Sequence, residues 1–269
     1  MNSGHSAAET PQGTSEPTVV VTRVAQWHWH AVEDDRVVGR GEALHRPDGR
    51  IFLSIDSWHS AVFDQLAETM LADLPTPLYT VVDEADRDLA SSWERAGFTI
   101  RRREWEYLVP TDPQVTGLDS ALPPSGVTVV PVGAALEGSL REAYNAIRAE
   151  VEATVGWESM PTVVLVRSDG ASSLDPLTYA VAAESERYVG LVRVASRRRH
   201  AWIGLIAVRA DLRRRGVARA LLAHVLGSLH HHGIETASAD VDESNGAAVA
   251  LFEGVGAQRA SSTLELVFR

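Results

Sequence analysis

The stretch Val208–Leu222, VRADLRRRGVARALL, runs from an apolar strand through an arginine-loaded turn into a helix. Upstream, Ala201–Val208 is apolar on both faces, as a strand in the middle of a sheet must be. Downstream, Val217–His232 carries Ala, Leu and Val at helical spacing and stops at Gly233. A helix beginning there leaves its first amides without intrahelical acceptors, and its dipole favours an anion at that end. Gly216 gives the turn access to positive φ and to close backbone approach. Arg213, Arg214 and Arg215 add charge and forked donors. The turn therefore reads as a cradle for a pyrophosphate, with the N–H groups from about Arg214 through Val217 to Ala218 converging on phosphate oxygens.

The surroundings fit a mixed sheet. Val127–Val132 is a short β-branched strand, and Leu136–Val151 repeats apolar residues at helical spacing. Thr178–Ala183 and Tyr188–Ala195 form a hairpin across Glu184–Arg187. Glu235–Val241 is a strand, Ser244–Val255 a helix ending at Gly256, and Ser261–Phe268 a closing strand. This β-α-β-β-β-α-β-α-β order predicts an α/β (α+β) fold, a mixed, mostly antiparallel sheet flanked by helices on both faces.

The 269 residues suffice for one large domain or two small ones. A hydrophobic fraction of 45% and a charged fraction of 23% are ordinary for a globular protein. The net charge of −11 opposes non-specific nucleic-acid binding, which needs a basic surface. There is no cysteine, so a disulfide framework, a thiolate metal site and a cysteine nucleophile are excluded. His230-His231-His232 is adjacent rather than spaced at i, i+4, so no metal site is expected. No apolar run is long enough to span a membrane, and the N-terminus lacks the apolar core of a secretory signal. A cytoplasmic protein without a membrane partner is expected.

An internal repeat divides the chain. Val82-Asp83-Glu84 stands 159 residues before Val241-Asp242-Glu243, and the same offset pairs Trp93-Glu94 with Phe252-Glu253, Gly97 with Gly256, and Trp105-Glu106 with Leu264-Glu265. One register held from a strand end through a helix to a last strand predicts two related domains in tandem. Residues 1–18 read as a disordered tail, 19–110 as the first domain, 111–126 (rich in Pro, Gly, Asp and Ser) as a linker, and 127–269 as the second domain. In the first domain, Gln26–Val32 and Val37–Ala43 form a hairpin and Ile51–Ile55 a central strand. After that strand comes Asp56-Ser57-Trp58-His59, a short loop without glycine or arginine. The first domain is therefore expected to have lost the phosphate cradle that the second retains.

The turn Arg213–Ala218 resembles the (Q/R)-x-x-G-x-(G/A) signature of the GCN5-related N-acetyltransferase (GNAT) superfamily, and the order of elements is also that of the superfamily. Asn245, Ala248, Leu251, Phe252 and Gly256 resemble its N-x-x-A-x-x-(L/F)-Y-x-x-x-G-F segment. The resemblance implies a tandem GNAT with a degenerate N-terminal half and acetyl-CoA as co-substrate. It implies direct acetyl transfer to the primary amine of a small molecule or peptide. It also implies that backbone groups of Ile206, Ala207 and Val208 hold the pantetheine arm and the acyl oxygen, and that Asn245 contacts the pantetheine. Phe252 stands where the family often has a tyrosine that protonates the leaving thiolate. Gly204 and Leu205 stand where many members carry a strand glutamate as base. Glu184, His200, Asp240 and Asp242 remain as candidate bases. Trp157, Glu158 and Tyr144 lie where the superfamily builds its acceptor pocket. Two alternatives stay open: a non-catalytic acyl-CoA-binding or regulatory module, and acetylation of a small thiol precursor, because Val241–Val249 and the tandem layout also resemble mycothiol synthases. The oligomeric state stays open between monomer and homodimer.

Overall fold

Both hairpin turns close through paired residues of positive φ. They are Asp34 (47°) and Asp35 (60°) in the first half, and Ser185 (48°) and Glu186 (67°) in the second. Two consecutive left-handed residues match the right-handed twist of the strands they join. The computed structural model describes residues 19–46, 48–154, 156, 174–197 and 200–269. The tail expected at residues 1–18 lies outside them.

The chain divides into two compact units. One holds the residues up to Leu44 together with Leu53–Pro75, and the other holds His45–Phe52 with Thr76–Arg269. In the first unit, β1 (Val20–Ala25), β2 (His28–Glu33), β3 (Arg36–His45) and the end of β4 (Ile51–Ser57) adjoin in that order. The helix α1 (Ser60–Asp73) buries Val62, Phe63, Leu66, Ala67 and Met70. Glycines let it lie close to β3, since a Cβ at Gly41 would stand 2.4 Å from Met70 Sδ. The indole Nε1 of the fully buried Trp29 donates to Asp73 (2.7 Å).

The second unit contains β5 (Leu78–Asp83), α2 (Arg87–Arg95), β6 (Thr99–Pro110), α3 (Pro113–Thr116), β7 (Val127–Val130), α4 (Glu137–Glu152), β8 (Tyr179–Glu184), β9 (Arg187–Arg197), β10 (His200–Val208), α5 (Val217–His231), β11 (Thr236–Asp242), α6 (Gly246–Glu253) and β12 (Gln258–Phe268). Its strands run in the order β5-β12-β6-β11-β10-β9-β8-β7. Alternate residues of β8–β10 face opposite helices. Ala180, Ala182, Val192, Val194, Ala201 and Ile203 cluster with Leu221, Leu222, Val225 and Leu226 of α5. Val181, Leu191 and Leu205 cluster with Leu140, Ala143 and Ile147 of α4. The strands read as apolar on both faces because helices cover both.

The repeat is visible in the pairing. β12 meets β5 with Thr263 opposite Asp83, and β11 meets β6 with Asp242 opposite Glu104. These are the same register displaced by one repeat. The last strand of each half thus lies in the other half's sheet, β6 between β11 and β12, and β12 between β5 and β6. Arg103 ties the repeats together, bonding Glu84 at 2.7 Å and its repeat mate Glu243 at 3.0 Å. This exchange of strands is why Thr76–Pro110 sorts with the C-terminal residues, so the compact units part at Pro75/Thr76 and not at the expected boundary. Residues 111–126 are not a loose connection either. Asp112 caps α3, and Thr116 and Leu118 are buried, Leu118 in the same core as α5.

Candidate active site

The segment after β10, where the sequence predicts an anion cradle, turns into α5 through two left-handed residues. Glu150 of α4 anchors its start, accepting from Arg209 Nε (2.6 Å) and from the amide of Ala210 (2.7 Å). Arg213 Nε turns back to the carbonyl of Val208 (3.2 Å). Arg214 (φ 63°) and Gly216 (φ 89°) take left-handed conformations, which turn successive amides toward one side. α5 then begins with no side-chain cap, and its first backbone bond runs from Ala220 N–H to Gly216 C=O (3.0 Å). Among the described residues, the amides of Arg214, Arg215, Gly216, Val217, Ala218 and Arg219 have no backbone acceptor. Arg215 approaches Glu184 at 3.7 Å with both side chains partly exposed, a loose pair.

Beside this cradle the sheet opens. β10 and β11 are parallel but paired only at Ala201–Ala237 and Trp202–Ser238. Beyond that point Ile206, Ala207 and Val208 stay in register with Val192, Leu191 and Gly190 of β9 while their other edge faces the gap. Gly190 keeps α5 close to this edge, because a Cβ there would stand 3.1 Å from both Leu221 and Val217. The equivalent strands of the first half diverge in the same way, with β4 and β5 pairing only at Ile51–Leu78 and Phe52–Tyr79. There the connection from β4 to α1 is just Trp58 and His59, because Asp56 and Ser57 belong to the strand.

On the face of the sheet away from α5 lies a cavity of about 240 Å³ lined by Glu104, Glu106, Trp202, Ser238, Asp240, Ser261 and Thr263. Trp202 Nε1 donates to Asp240 (2.9 Å), Ser261 Oγ to Glu106 (2.7 Å), and Arg102 to the buried Glu104 (2.8 Å). Gly204, at a bulge in β10, makes room for Trp202: a Cβ would fall 2.2 Å from its ring. On the neighbouring strand β9, the Arg193 guanidinium lies 5.9 Å from the same ring. Three carboxylates around one cavity suit a cationic group.

Two of the four candidate bases meet here. Asp240 lines the cavity, and His200 reaches its wall through Ser238 Oγ (2.7 Å). Asp242 instead accepts from the amide and hydroxyl of Ser244 (2.8 and 2.6 Å), the role of a loop cap. Glu184 ends β8 beside Arg215. Asn245 caps α6 by accepting from Ala248 N–H (3.1 Å). Phe252 is 2% exposed and stacked on Tyr107, centroids 6.0 Å apart. Tyr144 packs beside the α4 core, and burial pushes its phenol up. Trp157 and Glu158 lie outside the described residues. The sequence reading missed Glu104 and Glu106. Their alternation along β6 was legible, but their strand was assigned to the other domain.

Known proteins match the C-terminal half by family model and most of the chain by fold. Residues 141–257 match the Acetyltransferase (GNAT) family. This segment is similar to the acetyltransferase domain of that family. Over 56 residues the chain is 43% identical to the [Ribosomal protein bS18]-alanine N-acetyltransferase of Escherichia coli (strain K12), which is 21% of this chain and 38% of that relative. The chain thus spans well under half the length of the curated relatives it matches. A GCN5-related N-acetyltransferase from Sphaerobacter thermophilus superposes with a TM-score of 0.64 at 19% identity, over 92% of this chain and 82% of that one. A tandem GNAT protein from the clavulanic acid biosynthesis pathway gives 0.62 at 17% identity, over 90% and 82%. The fold of these two proteins is therefore shared over about nine-tenths of the chain. Among the described residues no helix is long and apolar enough to cross a membrane.

Proposed function

We propose that the protein transfers an acetyl group from acetyl-CoA to the primary amine of a small molecule or peptide, and that the C-terminal half does so. The observation that carries this reading is the run of amides from Arg214 to Arg219 without backbone acceptors, beside the opening between β10 and β11. The pyrophosphate would sit on those amides and on the Arg213–Arg215 side chains. The pantetheine arm would run along the unpaired edge of Ile206–Val208, as a further strand would. The acceptor would enter as an ammonium ion into the cavity of Glu104, Glu106 and Asp240, and Asp240 would take its proton, directly or through water. The neutral nitrogen then attacks the thioester carbon, the C–N bond forms, the C–S bond breaks, the thiolate leaves, and the nitrogen's surplus proton passes to that thiolate, directly or through water. Holding amine and thioester together supplies much of the rate. The relative's name, an alanine N-acetyltransferase acting on a ribosomal protein, supports a peptide amine as one acceptor class.

In this reading the N-terminal half is degenerate, because Trp58 and His59 alone join β4 to α1 and no left-handed residue occurs there. One observation favours the alternative of a non-catalytic acyl-CoA-binding protein: Phe252 is buried and has no proton to give. A thiolate is a tolerable leaving group, with an ordinary thiol pKa of about 8.5, so transfer does not require that acid.

Thermal unfolding with acetyl-CoA tests the proposal. Saturation at about one hundred times Kd raises stability by about 2.7 kcal/mol, which is about 5–10 °C for a chain of this size. Gly216→Glu, which puts a carboxylate and a strained φ into the cradle, should abolish the shift. No shift in the unaltered protein refutes the cofactor assignment. A shift without thiol release on a panel of amines leaves the non-catalytic reading standing.

A further inference from the structure

The place matching the acidic cavity in the other repeat holds an arginine cluster around one buried glutamate. By register, Trp202, Ser238, Glu106 and Ser261 correspond to Phe52, Tyr79, Glu265 and Arg102. Glu106 keeps a carboxylate counterpart in Glu265, Glu104 and Asp240 correspond to the uncharged Thr263 and Val81, and Ser261 is replaced by Arg102, which with Arg50 and Arg101 surrounds Glu265. Glu265, 2% exposed, is bonded by Arg101 (2.6 Å), Arg102 (3.0 Å) and Arg50 (3.4 Å). Arg46 and Arg50 enter from the connection between β3 and β4, which the backbone bond from Arg46 N–H to Arg50 C=O (2.8 Å) holds closed.

Arg46 is the group that needs a partner. It is 6% exposed, its guanidinium carbon lies 3.3 Å from the centroid of the Phe52 ring, and its Nε and Nη1 have no acceptor among the described residues. Arg50, 9% exposed, bonds Asp48 through Nε (2.8 Å) but leaves Nη2 without an acceptor. Buried N–H groups are nearly always satisfied, and an unmet cationic donor is among the most costly groups to bury. Burial, followed by repulsion from Arg50, pushes the Arg46 guanidinium down to about 10. A bound anion would offset both by pairing with the guanidinium. Next to the cluster, and sharing Tyr79 and Arg101 with it, is a cavity of about 320 Å³ also lined by Thr76, Pro77, Val267 and Arg269. Its aromatic floor is continuous with the cluster, since Tyr79 stacks on Phe52 at 5.3 Å.

We propose that Arg46 and Arg50, with the cavity at Tyr79 and Arg101, form a binding site for a small oxyanion, the phosphate or carboxylate group of a metabolite. The guanidinium forks supply the planar, bidentate donors that such groups take. This half would thus keep the acceptor-side pocket of its repeat mate with the opposite ligand charge, a site for an effector that is separate from the acetyl-CoA cradle.

The test is thermal unfolding in potassium phosphate, and in potassium acetate, against chloride at matched ionic strength. The unaltered protein should gain about 3–6 °C at saturation in one of the two, which also tells phosphate from carboxylate. Arg46→Met should abolish that gain while matching or exceeding the unaltered protein's Tm in chloride, because it removes an unmet buried cation. It should leave the acetyl-CoA shift intact. Arg46→Lys, which keeps the charge and loses the fork, should weaken anion affinity about tenfold and serves if the methionine variant does not fold. Because the cradle also attracts phosphate, Arg214→Ala/Arg215→Ala is the control, and the gain should survive there. No gain in either anion, or a gain that persists in the Arg46 variants and vanishes in the cradle variant, overturns the proposal.

Discussion

Gly204→Ala is the substitution whose effect the structure defines most narrowly. The added Cβ would stand 2.2 Å from Cη2 and Cζ3 of Trp202 and 2.9 Å from Cε3. Ordinary carbon contacts are about 3.5–4.0 Å, so the indole must move by more than about 1 Å. Trp202 is 5% exposed and its ring is held by the bond to Asp240. Overpacking of this kind costs about 1–3 kcal/mol, and loss of a hydrogen bond to a charged group about 1.5–3 kcal/mol. The two overlap, so about 2–4 kcal/mol is expected, or about 4–16 °C in Tm at 2–4 °C per kcal/mol. The assay is a double-mutant cycle with Trp202→Ala, followed by thermal unfolding. With the ring gone, Gly204→Ala should cost less than about 1 kcal/mol, giving a coupling of about 1–3 kcal/mol. Amine KM should rise in Gly204→Ala while acetyl-CoA binding holds, because the cavity wall moves and the cradle does not. Equal costs in both backgrounds would refute the argument that Gly204 exists to seat Trp202.

Three further outcomes follow from the same geometry. Asp240→Asn should lower kcat/KM for the amine about 10²–10⁴-fold, the usual range for a general base, with acetyl-CoA affinity by calorimetry unchanged; an unaltered rate would exclude Asp240 as the base. Gly216→Val should lose about 1–2 kcal/mol of stability, because φ 89° is unfavourable for a branched side chain, and acetyl-CoA affinity should fall with it. Glu84 ionises more readily than a free carboxyl, chiefly because Arg103 donates to it, with Ser262 adding a second bond. Its folded pKa therefore lies below the ordinary 4.5, so its stabilisation is present above that pH and is lost as pH falls through the folded value. Glu84→Gln should flatten that part of the acid unfolding curve, and an identical curve would show that the Arg103 bridge carries no stability.

Much of the candidate site was legible along the chain because it is local. The cradle needs one strand end, one glycine and one helix start, and Val208–Leu222 supplies them in order. The hairpins, with their Asp34-Asp35 and Ser185-Glu186 turns, and the repeat itself are likewise written in contiguous residues. Among the bases, the chain could name Asp240 but could not separate it from Asp242, two positions away on the same strand. Only the folded backbone shows that Ser244 occupies Asp242 while Trp202 turns Asp240 into a cavity.

Glu104 and Glu106 were legible as alternating residues of the first half's last strand, but not as the wall of a cavity in the second half's sheet. That a terminal strand pairs within its own domain is a reasonable inference from sequence, and it fails here because β6 and β12 are exchanged. Since the two strands carry similar patterns, either register satisfies the alternation of buried and exposed residues. The pairing of β6 with β11 was therefore decided by tertiary packing alone. The sequence by itself determined the mixed sheet and pointed to an internal repeat and a candidate cradle after β10, because the elements and the turn are each read from neighbours in the chain. Only the tertiary structure decided which carboxylates face that cradle's sheet and which guanidinium groups fill the matching place in the other half, because those groups are brought together by strands from both repeats.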